Sequence, residues 1–270
     1  MKVLPFVRHA CMTALCLSLA ASAMLAQAPQ ANSQFQPVVG QAGKDVVWVP
    51  TPQATVDKML EMAKITPQDY LIDLGSGDGR TVITAAKRGL KAHGIEYNQD
   101  MVDLSKRNAV AEGVTDRATF VKADLFQSDF SQATVITMFL LQDINIRLRP
   151  TILDMKPGTR VVSNTFTMGD WTPDESNTVP NCSSWCTALL WIVPAKVNGS
   201  WKMPQGEMRL TQTYQTFTGT LGNNQISAGK LAGDQISFQV GGTQYEGRVN
   251  GNTITGTVRS NPPAPFTATR

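Results

Sequence analysis

The chain has 270 residues, 42% of them hydrophobic, 17% charged and 7% aromatic, a balance that excludes disorder, collagen and coiled coil. That length holds one large domain or a medium and a small one. Formal net charge is +3, from 24 basic and 21 acidic residues, and with no lysine- or arginine-rich block no nucleic-acid partner is expected.

The first segment reads as an export signal over residues 1–28. Lys2 and Arg8 make a basic start, Ala10 to Leu25 carries no charge, and Ala21-Ser-Ala23 and Ala26-Gln-Ala28 offer small-residue cleavage sites. The apolar run is short for a bilayer span, which needs about 20 residues. Cleavage is expected between Ala23 and Ala28, leaving an exported (periplasmic or extracellular) protein without a stable membrane span. An uncleaved N-terminal anchor is the alternative. Residues 29–47, rich in Gln, Ala and Pro, read as a flexible lead-in.

Strands and helices then alternate. Val56, Met59-Leu60 and Ala63 have helical spacing after Thr51-Pro52. A strand is expected over 70–74, a helix over 80–88, a strand over 92–96, a helix over 99–112 and strands over 119–122 and 134–139. A helix over 144–155 follows despite Pro150, then strands over 159–163 and 187–193. Such alternation predicts a mostly parallel sheet covered on both faces. The composition breaks at Val197-Asn-Gly-Ser200. Residues 199–270 hold 11 of the 21 glycines and only nine charged side chains. Lys230-Leu-Ala-Gly-Asp-Gln-Ile-Ser237 is echoed 18 residues later by Arg248-Val-Asn-Gly-Asn-Thr-Ile-Thr255, with a fainter copy at Leu221–Ser227. Gly-Asp and Gly-Asn pairs suit tight hairpins, so 198–270 is expected to be a small antiparallel meander of five to seven strands, a partly closed barrel or a curled sheet. The domains are thus 48–197 and 198–270.

Removal of the leader leaves Cys182 and Cys186. In an extended strand they would lie about 13 Å apart, too far for a disulfide, whereas a turn would bring them together. A disulfide in an oxidising compartment and free thiols both remain open. Metal binding is disfavoured, because two thiols with no further Cys or His cannot complete a zinc shell. Histidine is limited to His9 and His93, so a histidine-rich metal site is excluded and any triad would depend on His93. In Lys91-Ala-His-Gly-Ile95 that residue reads as structural.

One constellation carries chemistry. Ile72-Asp-Leu-Gly-Ser-Gly-Asp-Gly79 lies between a strand and a helix, where glycines let a ligand approach the backbone and the helix N-terminus. A nicotinamide loop of the G-x-G-x-x-G type would require glycine where Arg80 stands. Glu96 ends the second strand and Asp124 follows the third, so with Asp73 three acids meet at the carboxyl ends of three strands, where open sheets bind ligands.

The spacing Asp73-x-Gly75-x-Gly77-x-Gly79 with these acids resembles the class I S-adenosyl-L-methionine (SAM)-dependent methyltransferases over roughly 48–195. Asp73-Leu-Gly-Ser-Gly-Asp-Gly-Arg80, Ala85-Ala86 and Gly169-Asp-Trp-Thr-Pro-Asp174 are similar to the FAM173-type protein lysine methyltransferases and their bacterial relatives. Lys156-Pro-Gly-Thr-Arg-Val-Val-Ser163 is similar to Dot1-type enzymes, and Val49-Pro-Thr-Pro52 looks like the segment that closes over the cofactor in them. The resemblance implies an α/β fold with a Rossmann-like seven-stranded methyltransferase sheet, followed here by the small all-β meander domain. It implies SAM as co-substrate without a metal, held by Asp73, Gly75, Gly77, Gly79, Glu96 and Asp124. Glu96 would accept from the ribose hydroxyls and Asp124 from the adenine amino group, with Leu125 and Phe126 against the purine.

Enzymes that methylate amide or base nitrogens place an Asp/Asn-Pro-Pro-Tyr/Phe loop after the fourth strand. This chain has Met138-Phe-Leu-Leu-Gln-Asp-Ile144. That apolar mouth suits an amine acceptor, a protein lysine side chain, with Gln142 to orient it and Asp143 to attract it, or both as a helix cap and a surface acid. Trp48 and Trp171 are candidate entrance walls, or core. No catalytic residue is assigned. The alternatives are a small-molecule O- or N-methyltransferase and an exported non-catalytic binding or structural protein on the same fold.

Overall fold

The computed structural model describes residues 35–270. The export signal, His9 and the first part of the lead-in lie outside the described residues. Helix α1 (Gln53–Met62) precedes an alternating run of β1 (Tyr70–Leu74), α2 (Arg80–Lys87), β2 (Lys91–Glu96), α3 (Gln99–Ala111), β3 (Ala118–Lys122), β4 (Val135–Met138), α4 (Gln142–Leu153), β5 (Arg160–Asn164), β6 (Glu175–Thr178) and β7 (Thr187–Ile192). The seven strands form one sheet in the order β3-β2-β1-β4-β5-β7-β6. Its first five members are parallel, β7 runs antiparallel to β5, and β6 antiparallel to β7.

Alternation along each strand splits the sheet between two cores. Leu71, Ala92, Val135, Val162, Ala188 and Leu190 face α1, α2 and α3, while Ile72, Ile95, Ile136, Val161, Leu189 and Trp191 face α4 and the segment after β3. Both faces are covered, which is why the central strands are continuously apolar. Edge strand β6, Glu-Ser-Asn-Thr, shows no apolar alternation because it is mostly exposed, and the sequence pattern missed it. α4 begins two residues earlier than its apolar spacing indicates, and Pro150 sits in its last turns. The sheet is anchored at its amino end by Arg160, which pairs with the buried carboxylate of Asp69.

The C-terminal part differs from the five-to-seven-strand meander that the glycine spacing suggests. Eight strands, β8 (Gly199–Met203), β9 (Gly206–Thr213), β10 (Thr216–Leu221), β11 (Asn224–Ala232), β12 (Gln235–Val240), β13 (Thr243–Asn250), β14 (Thr253–Val258) and β15 (Ala264–Thr269), close into a barrel. Gly222-Asn223, Gly233-Asp234, Gly241-Gly242 and Gly251-Asn252 are its two-residue hairpin loops, each opening on a glycine at positive φ. The repeat at offset 18 therefore marks alternate hairpins. β8 and β15 escaped notice because the closing β15–β8 contact joins residues about 70 apart. Phe217, Phe238, Tyr245 and Phe266 pack together in its core, as expected of a small barrel whose interior is filled by side chains.

The barrel is joined to the sheet by specific contacts as well as by the chain. Trp171 Nε1–H donates to Gln215 Oε1 at 2.8 Å, and Gln215 Nε2–H donates to the Thr172 carbonyl at 2.8 Å. Tyr214 stacks on Trp171 at 5.8 Å between centroids and donates to Asp170. Trp171 is completely buried there. It is a core residue at this junction, so its placement as an entrance wall is corrected.

Candidate active site

The residues of the glycine loop and the three acids converge on one crevice at the carboxyl end of the sheet. Asp73, Gly75, Gly77, Glu96 and Asp124 all line it. Gly79 lies one step behind, as the cap of α2 in the left-handed region. Parallel pairing of β1 with β4 sets Asp73 beside Thr137, whose hydroxyl donates to Asp73 Oδ1 at 2.7 Å. Burial pushes the Asp73 carboxyl up to about 7, against that hydrogen bond, and the nearby Glu96 and Asp78 carboxylates add to the rise.

The loop after β1 turns sharply because Gly75, Gly77 and Gly79 have φ of 78°, 54° and 82°. A β-carbon on Gly77 would lie 2.8 Å from Trp48 Nε1, and one on Gly79 2.8 Å from Phe120. The loop's polar groups are satisfied from neighbouring elements. Gly75 and Ser76 N–H donate to the Ile95 carbonyl, Ser105 of α3 donates to the Gly77 carbonyl, and Asn108 to that of Asp78. Gly94 on β2 is equally constrained, since a β-carbon there would meet Ser76 Oγ at 2.5 Å. Local spacing assigned Gly94, Ser105 and Asn108 no part in the site, because their role is contact across elements.

Glu96 is held at both oxygens. Gly77 N–H donates to Oε2 and Asn98 N–H to Oε1, each at 2.9 Å. The second acid is thereby tied to the glycine loop, and each carboxylate oxygen keeps further acceptor capacity. Asp124 takes the Phe126 N–H at 2.9 Å and the Lys44 ammonium at 3.0 Å. These two contacts, the backbone one foremost, hold its carboxyl below the usual carboxylate range. Leu125 lines the crevice, whereas Phe126 packs under the Arg147 guanidinium at 3.8 Å.

The described part of the lead-in runs along this crevice. Gly40 N–H donates to the Trp48 carbonyl and Trp48 N–H to that of Gln41, closing a loop whose members from Gln41 to Thr51 form one wall. Arg80 fastens it by donating to the Thr51 carbonyl at 2.9 Å while its guanidinium pairs with Asp78. Arg80, which departs from the nicotinamide pattern, is thus a structural clamp. Trp48 stands in the wall, one of the two places its sequence context allows.

The other half of the crevice lies over the ends of β4 and β5 and is apolar, built from Met138, Phe139, Leu140, Ile144, Phe166 and Trp185. Gln142 and Asp143 do not line it. Gln142 accepts from Thr167 at the start of α4, and Asp143 is exposed in the first turn. Trp185 enters on the β6–β7 loop, where Cys182 and Cys186 are joined in a disulfide with α-carbons 5.7 Å apart. This resolves the open choice for the two cysteines. His93 is remote from the crevice lining. It is half-buried, hydrogen-bonded to Thr119, and desolvation lowers its pKa, consistent with a structural role.

The family model described as the ANTKMT methyltransferase domain matches residues 73–175. The chain is 44% identical over 151 residues to the protein-lysine N-methyltransferase of Saccharolobus islandicus, covering 55% of this chain and 94% of that protein. It is 34% identical over 128 residues to a human ATP synthase lysine N-methyltransferase, where it spans 54% of the relative and 47% of this chain. A solved RNA methyltransferase from Salinibacter ruber, in complex with S-adenosyl-L-homocysteine, superposes with a TM-score of 0.52 at 43% identity, over 55% of this chain and 96% of that one. With the glycine loop, the acids and the seven-stranded order, these similarities show that the chain belongs to the SAM-dependent methyltransferases, in the family of the Saccharolobus islandicus protein-lysine N-methyltransferase.

Proposed function

We propose that the chain methylates an amine nitrogen, a protein lysine side chain, and that it works after export. The observation that carries the reading is the division of one crevice into an acid-lined half over β1, β2 and β3 and an aromatic half over β4, β5 and β7. The first half fits SAM by its donor set. Glu96 has the acceptor capacity for a pair of ribose hydroxyls, Asp124 for an amino group, and the loop through Gly75, Gly77 and Gly79 brings bare backbone to the ligand. Asp73, buried among other acids, is suited to a cationic neighbour. When bound, SAM supplies an electrophilic methyl group on a sulfonium. The protein then has two tasks, to align the acceptor nitrogen and to exclude water.

The aromatic half favours a neutral amine, because an apolar surround lowers the pKa of a lysine. The named relatives from Saccharolobus islandicus and human support lysine as acceptor. The Salinibacter ruber similarity raises RNA as a second reading. Against it, the basic groups on the crevice wall, Lys44 and Arg80, are engaged by Asp124 and Asp78. Export is supported by the leader and by the disulfide, which persists in an oxidising compartment. N-terminal sequencing of the cell product checks it, with a start at Met1 refuting it.

Calorimetry with SAM comes first, and no binding at millimolar SAM ends the methyltransferase reading. Incubation with methyl-labelled SAM and extracts of cell protein or RNA then identifies the acceptor. Label recovered as methyllysine supports the proposal, and label confined to RNA transfers the chain to the second reading.

A further inference from the structure

We infer that Trp185, held by the Cys182–Cys186 disulfide, is the specificity-determining wall for the acceptor's ammonium-bearing side chain, so that acceptor recognition depends on an oxidised loop. This deepens the amine-acceptor reading and rests on it. Three rings meet in the apolar half of the crevice. Phe139 and Phe166 lie 5.9 Å apart between centroids, and Trp185 is 5.4 Å from Phe139 and 5.7 Å from Phe166. At these separations the rings touch one another, so they form a wall and not an open cage. Trp185 is 39% exposed, which leaves indole surface for a ligand beside the acid-lined half. An extended aliphatic stem packs on such a wall, and a methylated ammonium gains cation–π attraction, strongest on indole.

The rings are held from three directions. Phe139 directly follows β4. Phe166 follows Thr165, which sits at φ 63°, and its carbonyl accepts from Asn145 Nδ2–H and the Ser163 hydroxyl. Trp185 itself has φ of 57°, a conformation unfavourable for a bulky side chain. Something must impose it, and the loop does so twice. The disulfide joins its chain neighbour Cys186 back to Cys182, and the Thr55 hydroxyl of α1 donates to the Trp185 carbonyl at 3.1 Å. Strained residues of this kind persist only where their surroundings over-determine them, and they concentrate at ligand clamps. Opening the disulfide releases one of the two restraints on the indole without touching Asp73, Glu96 or Asp124.

The test uses the full mature chain with S-adenosylhomocysteine present. The probes are Nα-acetyl-trimethyllysine amide and its uncharged isostere with carbon in place of the quaternary nitrogen, both measured by calorimetry. Wild type should bind the charged probe more tightly than the isostere by about 2- to 30-fold, the range of a cation–π contact. Trp185→Ala should abolish that preference and Trp185→Phe retain part of it, both with SAM affinity within about twofold of wild type. The Cys182→Ser/Cys186→Ser double variant, and wild type treated with a phosphine reductant, should lose preference in the same direction. Equal binding of the two probes by wild type, including no binding of either, overturns the inference. So does a preference that survives Trp185→Ala, and one unchanged by disulfide removal overturns the dependence on oxidation. Failure to bind SAM would instead overturn the methyltransferase reading, so the two failures are distinguishable.

Discussion

Replacing Asp73 with asparagine tests the electrostatics of the site at its most buried point. The carboxyl is 6% exposed and takes one side-chain hydrogen bond, from Thr137. Burial, with Glu96 and Asp78 adding to it, raises it from 3.8 to about 7. Between these values the unfolded chain has shed the proton and the native protein still holds it. The native state therefore binds more protons, and stability falls as pH rises. The contribution is complete below about pH 4 and gone above about pH 7. At about 1.4 kcal/mol per pH unit, it amounts to at most about 4 kcal/mol. Asparagine keeps the volume and an oxygen for Thr137 but cannot ionise. Its amide N–H, left without an acceptor, costs about 1–3 kcal/mol at every pH. Subtracting the two proteins' stabilities by urea denaturation at pH 4, 5.5, 7 and 8.5 removes what they share. Asp73→Asn should be the less stable at pH 4 and gain on wild type steadily to pH 7 and beyond. Calorimetry in the same buffers should show wild-type SAM affinity rising through about pH 7 more steeply than the variant's, because a cationic ligand favours the ionised carboxylate. A stability difference that is constant from pH 4 to 8.5 would refute the argument.

Glu96→Ala removes a carboxylate whose two oxygens are already fixed by Gly77 and Asn98. Loss of the charge-assisted pair to a ribose should cost roughly 1.5–3 kcal/mol, or about 10- to 150-fold in SAM affinity. Unchanged calorimetric affinity in a folded variant would remove Glu96 from the cofactor half. At the barrel junction, Gln215→Ala leaves the Trp171 N–H and the Thr172 carbonyl unpaired. Chemical denaturation should show a loss of about 2–4 kcal/mol, and no loss would mean that water enters and replaces the amide. A chain ending near Asn198 goes further, stripping Tyr214 and Gln215 from Trp171. Its tryptophan emission should shift to the red and its melting temperature fall below that of residues 29–270. Equal melting would make the barrel an energetically separate unit.

Much of this molecule follows from local pattern. Continuous apolar runs mark β1 and β4, helical spacing marks α1 and α3, and glycine pairs mark the barrel's hairpins. The loop from Gly75 to Gly79 was legible for the same reason, since its positive-φ glycines are a backbone requirement written residue by residue. The acids Asp73, Glu96 and Asp124 could be brought together without coordinates because parallel strands in this order end side by side. Edge strand β6 was not legible, because a half-solvated strand of Glu, Ser, Asn and Thr has no burial to shape its composition. The rest depended on contacts between distant residues. Only the fold lays residues 41–51 along the crevice, where Lys44 reaches Asp124 across 80 positions. It buries Trp171 under Gln215 and brings Trp185, on a disulfide-closed loop, against Phe139 and Phe166. Local spacing fixes which backbone conformations are available. Which side chains meet is decided by tertiary packing, because that choice depends on every other element being in place.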